Sequence, residues 1–147
     1  MNYLMITFMK DGEKITITHG DKQEITGTVM NATSLGEILG ELSKGNNVAR
    51  YEWGDSMMPL LQNGEYSLLI PANKTTIEVG DAVFCEVNGY VMTHMVMMIS
   101  RIQNNPMYLI GSPNYNEITG QFTIYGWTSN VFAKALGTKI IHSEKEE

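Results

Sequence analysis

The stretch AVFCEVNGYVMTHMVMMI, residues 82–99, decides the fold class of this chain. Two apolar runs, 82–87 and 90–99, flank Asn88 and Gly89, a pair that favours the positive φ angles of a two-residue hairpin turn. Short β-prone runs of the same kind recur at 48–53, 66–70, 107–110, 122–127 and 130–141. The pattern predicts a mainly β fold, either a coiled sheet or a partly open barrel.

A hairpin is also expected near the start of the chain. The apolar run 3–9 and the alternating run 14–19 flank Asp11 and Gly12, which suit a tight turn. A further short strand is expected near residues 24–29, where β-prone residues follow a second turn signal.

The clearest helix signal begins at Ser34. Ser34 and Glu37 have the spacing of a capping box, in which each side chain binds the backbone of the other residue. One apolar face follows at helical spacing, made of Leu35, Ile38, Leu39 and Leu42. Gly45 lies where a left-handed residue would end the helix.

The length and composition predict a globular protein with a core of its own. The chain has 147 residues, and 43% of them are hydrophobic, so disulfides and metals are not required for stability. We expect the hairpin and helix of residues 1–47 to pack on a main β domain of residues 48–141. Residues 142–147 are expected to form a flexible tail.

Charge and composition exclude several classes of partner. The net charge is −6 without any basic run, so nucleic-acid binding is not expected. No segment approaches the ~20 apolar residues of a membrane span, so no transmembrane anchor is expected. The single cysteine, Cys85, excludes an intrachain disulfide and fits the cytoplasm. Three histidines and one cysteine lack metal-ligand spacing, and we expect no metal and no other cofactor.

Ser56 is the residue with the clearest catalytic context. It lies between Gly54 and Pro59, in a turn that could hold its hydroxyl exposed beside a backbone N–H able to bind an oxyanion. Serines in turns are common, so the turn alone does not indicate catalysis. His94, in a methionine-rich run, would by itself be interpreted as a packed core residue.

The residues around Ser56 resemble the nucleophile box of signal peptidases. The chain has SMMPLL at 56–61 and NGE at 63–65, and the family box has Ser-Met-x-Pro, a hydrophobic stretch and Gly-Asp. Further segments resemble the remaining conserved boxes of the family in the same order, namely VGDAVF at 79–84, VMTHMV at 91–96, YLIGSPN at 108–114, GW at 126–127 and FAKALG at 132–137. The chain is thereby similar to the signal-peptidase and LexA-type serine peptidases, and closest to the branch that uses a histidine base.

The resemblance implies a fold and a set of site residues. The fold would be the coiled β-sheet of that superfamily, with Ser56 as nucleophile, His94 as general base and the Ser56 backbone N–H as oxyanion donor. A hydroxyl is a weak nucleophile until a base takes its proton, and neutral imidazole is available for this near pH 7. Relatives of the histidine type carry an aspartate where this chain has Ser112. The candidates for orienting the imidazole are therefore Ser112, Asn114, Asn116 and Glu117.

Two classes of function follow. The first is a soluble, cytoplasmic serine endopeptidase that cleaves a protein or peptide substrate, or itself. The second is a catalytically silent structural or protein-binding member of the same fold, which the missing aspartate favours. A membrane signal peptidase and a DNA-binding repressor are not expected. A stand-alone domain of this type would suit a phage or a mobile element.

Overall fold

The computed structural model describes residues 9–19, 23–31, 34–51, 66–102 and 104–137. Within them the chain forms one helix of ordinary length, a short 3-10 turn at Ala72–Lys74 and nine strands. The strands are β1 (Lys14–His19), β2 (Gln23–Val29), β3 (Val48–Tyr51), β4 (Tyr66–Pro71), β5 (Ala82–Val87), β6 (Tyr90–Ile102), β7 (Asn105–Asn116), β8 (Gln121–Thr128) and β9 (Val131–Gly137), with the helix α1 (Leu35–Ser43) between β2 and β3.

The strands form a single open sheet in the order β1-β2-β3-β4-β9-β5-β6-β7-β8. Only β2 and β3 pair in parallel, and every other neighbouring pair is antiparallel. The last strand, β9, lies between β4 and β5, so it joins the two halves of the sheet. The prediction of a mainly β fold with one helix is confirmed. The likeness to the LexA and signal-peptidase fold stays a prediction.

The central strands are buried on both faces. Along β5, Phe84 faces a cluster that contains the helix residues Ile38 and Leu42, while Val83 and Cys85 face a second cluster. Successive side chains of a strand point to opposite faces, so these clusters lie on the two sides of the sheet. A third cluster, formed by β1 to β4, includes Ile15, Val29 and Leu68.

Helix α1 covers one face of the sheet as the apolar spacing predicts. The Ser34 and Glu37 capping box is present, and Gly45 takes a φ of 90° at the end of the helix. Ile38 and Leu42 are buried against the sheet, whereas Leu35, in the first turn, is 40% exposed. The division of the chain at residue 48 stays a prediction.

The turn predictions are confirmed where the structure describes them. Asn88 and Gly89 have φ angles of 52° and 87°, as a two-residue hairpin turn requires. Gly12 has a φ of 93°. The strand expected near 24–29 is β2, which pairs with β1. The expected strand 3–9 lies outside the described residues except for Met9, and the tail 142–147 lies outside them entirely.

Strand β8 turns back towards β5. The Thr128 hydroxyl donates a hydrogen bond to the Glu86 carbonyl at 2.6 Å, and the Asn88 carboxamide donates to the Tyr125 carbonyl at 3.5 Å. Strands β5, β6, β7 and β8 therefore curve around the cluster that contains Val83 and Cys85. In the part of the chain that is described, no helix has the length and hydropathy to cross a membrane.

Candidate functional site

His94 lies in a row of paired residues that crosses three strands. Lys134 on β9 pairs with Val83 on β5, and Val83 pairs with His94 on β6. Directly opposite residues in antiparallel strands share a face of the sheet. His94 therefore points to the face of Val83 and Cys85, the face that the returning strand β8 covers.

The His94 imidazole is partly buried and stacked on an aromatic ring. It stacks on Tyr125, with ring centroids 4.3 Å apart and 26° between the ring planes. Its Nδ1 atom is buried and has no hydrogen-bond partner among the described residues. Burial lowers the pKa of His94 below its ordinary value, because the charged imidazolium is poorly solvated there. The imidazole is therefore neutral at pH 7, the form that can accept a proton.

A β-bulge directs Tyr125 towards His94. On β8, Gly126 pairs with Ile110 and Ile124 pairs with Gly111, so Tyr125 is an extra residue in its strand. Gly126 has a φ of 140°, which favours glycine. Bulges of this kind often re-aim one side chain. The sequence interpretation missed Tyr125, although a glycine inside a β-prone run is a signal for a bulge.

Ser112 lies beside His94 on the neighbouring strand. Met95 pairs with Gly111, and His94 and Ser112 are the next residues in the same direction along β6 and β7. Ser112 is buried, and its hydroxyl accepts a hydrogen bond from the Asn114 backbone N–H at 3.2 Å. Of the predicted orienting residues, Ser112 thus lies nearest to His94 along β7, since each lies one residue beyond the last pair of the two strands. Its side chain carries no charge.

The other orienting candidates lie further along the β7–β8 hairpin. The Asn116 carboxamide oxygen accepts hydrogen bonds from the Ile118 and Thr119 N–H groups, at 2.9 and 3.1 Å, and so closes the hairpin turn. Glu117 is exposed in this turn, and Asn114 is exposed near the end of β7. Four residues of extended strand separate Asn116 from Ser112, which corresponds to about 13 Å. The structure therefore does not bring Asn116 or Glu117 beside His94.

The predicted nucleophile, Ser56, lies outside the described residues, and so does its backbone N–H. The segment 52–65, which contains it, joins Tyr51 to Tyr66, and these two residues pair directly where β3 ends and β4 begins. Strand β4 is separated from the strand of His94 by β9 and β5. Strands β4 and β6 are thus three strand spacings apart, which is about 14 Å on a flat sheet.

The Cys85 thiol, on the strand next to that of His94, is a further group that could react. Cys85 is 0% exposed, and burial raises the pKa of its thiol to about 12. The thiolate is the reactive form of cysteine, so this thiol is inert in the folded chain. Within the described ranges, no three His, Cys, Asp or Glu side chains come together in a way that could hold a metal ion.

Comparisons with known proteins add no relative that would assign this site. No protein-family model matches the chain, and no curated protein and no solved structure matches it either. The surroundings of His94, together with the order of the sequence motifs, are therefore what a functional proposal rests on.

Proposed function

We propose that this chain is a serine endopeptidase of the signal-peptidase and LexA type, in which Ser56 is the nucleophile and His94 the general base. The observation that carries the proposal is the partly buried imidazole of His94, which stacks on Tyr125 beneath the returning strand β8. The motif that contains His94 follows the Ser56 box in the family order. We propose a protein or peptide substrate, or the chain itself, and a cytoplasmic location, which the lone reduced cysteine supports.

The chemistry requires His94 to take up and release a proton twice, once as the acyl-enzyme forms and once as it is hydrolysed. The imidazole takes the proton from the Ser56 hydroxyl while the serine oxygen bonds to the scissile carbonyl carbon. The imidazolium then gives this proton to the leaving amine as the peptide bond breaks. In the second half, His94 takes a proton from a water molecule while the water oxygen bonds to the acyl carbon, and it returns a proton to the Ser56 oxygen as the acyl–serine bond breaks. The Ser56 backbone N–H would stabilise the oxyanion in both steps.

The buried Nδ1 atom of His94 limits the expected rate. If Nε2 is the basic nitrogen, the resting imidazole carries its proton on Nδ1, where no described residue accepts it. An unpaired buried donor costs about 1–3 kcal/mol. An aspartate solves this problem in related triads, and its loss there lowers the rate by roughly 10⁴. Ser112 stands where the family motif has that aspartate, so we propose a slow enzyme.

Covalent labelling tests the assignment of Ser56. A serine-reactive fluorophosphonate should add one label to the wild-type chain, as measured by intact-mass spectrometry. Ser56→Ala should remove the label and His94→Ala should slow labelling roughly 10³-fold or more. Ser100→Ala, on the same strand as His94, is the matched control and should label like wild type. Undiminished labelling of Ser56→Ala would overturn the assignment.

A second candidate function is a catalytically silent, protein-binding member of the same fold. The unpartnered Nδ1 of His94 and the uncharged Ser112 favour it, since nothing described selects the catalytic tautomer. A peptide library and prolonged self-incubation distinguish the two candidates. Cleavage by wild type that is absent in Ser56→Ala supports the enzyme. No cleavage and no labelling by the wild-type chain would support the silent relative.

A further inference from the structure

Tyr125 stacks directly on the His94 ring. The two rings stack at a centroid distance of 4.3 Å and an angle of 26°, a geometry in which both rings lie nearly parallel. No described side chain bonds to the Nδ1 atom. The usual device for fixing a catalytic imidazole is a hydrogen bond from this nitrogen. Here the observed contact is instead a ring stacked on the face of the imidazole.

Three features of the local backbone place Tyr125 next to the hairpin that carries His94. The bulge makes Tyr125 an unpaired residue between Ile124 and Gly126. The Tyr125 carbonyl accepts a hydrogen bond from the Asn88 carboxamide in the β5–β6 turn. A Cβ atom added at Gly126 would lie 3.2 Å from Val87 Cγ1, and the φ of 140° would also be strained. The strand β8 is thereby fixed against the hairpin that carries His94.

We propose that Tyr125 is the positioning residue of His94: its ring, aimed by the bulge at Gly126, fixes the plane of the imidazole, whose Nδ1 atom no described residue bonds. The inference rests on the proposed function where it concerns catalysis. Positioning matters because a displacement of about 1 Å at a reacting group can cost about 100-fold in rate. A stack fixes the plane of the imidazole and leaves its tautomer free.

The test compares an aromatic with an aliphatic replacement of equal polarity. Tyr125→Phe keeps the stacked ring, whereas Tyr125→Leu keeps apolar bulk and loses the ring. In wild type and Tyr125→Phe, the His94 ring protons should be shifted upfield by the neighbouring ring, and the Cε1–H relaxation should be that of a rigid group. Tyr125→Leu should lose the upfield shift and gain motion. Nuclear magnetic resonance of the full chain measures both, with His94→Gln to assign the signal.

Kinetics provide the functional half of the test. Tyr125→Leu should lower kcat by about 10- to 100-fold with an unchanged KM. Tyr125→Phe, which keeps the ring, should have the kcat of wild type. Gly126→Ala should move the bulge and reproduce the loss, so the inference does not depend on one variant. Trp127→Leu is the matched control, since this neighbouring aromatic is exposed; it should change neither the His94 signals nor kcat.

The outcomes separate the inference from the proposed function. A mobile or unshielded His94 ring in the wild-type chain would overturn the positioning role of Tyr125. Equal kcat in wild type and in a folded Tyr125→Leu would overturn it as well. If the wild-type chain has a rigid, shielded His94 ring but cleaves nothing, the peptidase proposal is wrong and the positioning of His94 by Tyr125 is supported.

Discussion

Cys85 and His94 lie on neighbouring strands and face the same side of the sheet, yet their burial has opposite chemical consequences. Burial disfavours the charged form of any group. For Cys85 the charged thiolate is the reactive form, and its pKa rises to about 12. For His94 the neutral imidazole is the reactive form, and its pKa falls. The same physical effect thus disfavours the reactive form of the thiol and favours the neutral form of the imidazole.

The two strands also differ in how they hold these side chains. Cys85 is enclosed by aliphatic neighbours of its own cluster, including Val83 and Val87. His94 is only partly buried and rests against a tyrosine from a strand that folds back. A reactive group needs access to a substrate as well as a suitable pKa. The comparison therefore favours His94, and excludes Cys85, as a functional group.

The largest expected effect is a difference in cleavage activity between variants of His94 and of Cys85. We expect His94→Ala to lower kcat/KM by roughly 10³-fold or more, because the Ser56 hydroxyl loses its base. Cys85→Ala also truncates a side chain to alanine, two residues along β5 from Val83, the partner of His94. The folded fraction of this variant should retain most of the activity. A cleavage assay on both purified variants measures this. Equal losses in the two folded variants would show that the comparison is wrong.

A smaller effect is expected on stability at Cys85. Cys85→Ser places a hydroxyl in an apolar cluster and should lower the free energy of unfolding by about 1–3 kcal/mol. Urea unfolding followed by tryptophan fluorescence measures the change. Cys85→Ala, which removes the sulfur without adding a polar atom, is the control for lost volume. A Cys85→Ser variant as stable as wild type would indicate that this cluster is more polar than the structure implies.

The smallest effect concerns the pH dependence of stability. The pKa of His94 is lowered on folding, so below its ordinary value of about 6.5 the unfolded chain binds more protons at this residue. His94 therefore contributes stability that is lost as the pH falls from about 6.5 through the lowered pKa. His94→Gln should weaken this acid sensitivity. Unfolding curves at about pH 7.5 and 5.5 test it, and an identical pH slope in both chains would contradict it.

Local signals in the sequence predicted the elements whose backbone demands are local. Asn88 and Gly89 specify their hairpin turn through positive φ angles, and Gly45 specifies the end of α1 in the same way. The capping box at Ser34 depends on a spacing of three residues. Each of these signals is complete within a few residues, so the sequence carries it without knowledge of the fold.

The parts that were not predicted depend on strand register. The placement of β9 between β4 and β5 joins residues that are far apart in the chain. The contact between Tyr125 and His94 requires both the bulge in β8 and the return of β8 towards β5. The motif order points to His94, and Gly126 signals a bulge, but no local pattern specifies which strand the bulged residue Tyr125 will face. The role of Ser56 stays a prediction.

The central claim, that His94 is the base for Ser56, is tested most directly by the pH profile of kcat/KM. Cleavage by wild type, Ser56→Ala and His94→Ala would be measured from about pH 5 to 10. We expect the wild-type rate to rise with a midpoint below about pH 6.5, because burial lowers the pKa of His94, and both variants to lose cleavage. Robust cleavage in both variants, or a wild-type midpoint well above pH 7, would contradict the assignment.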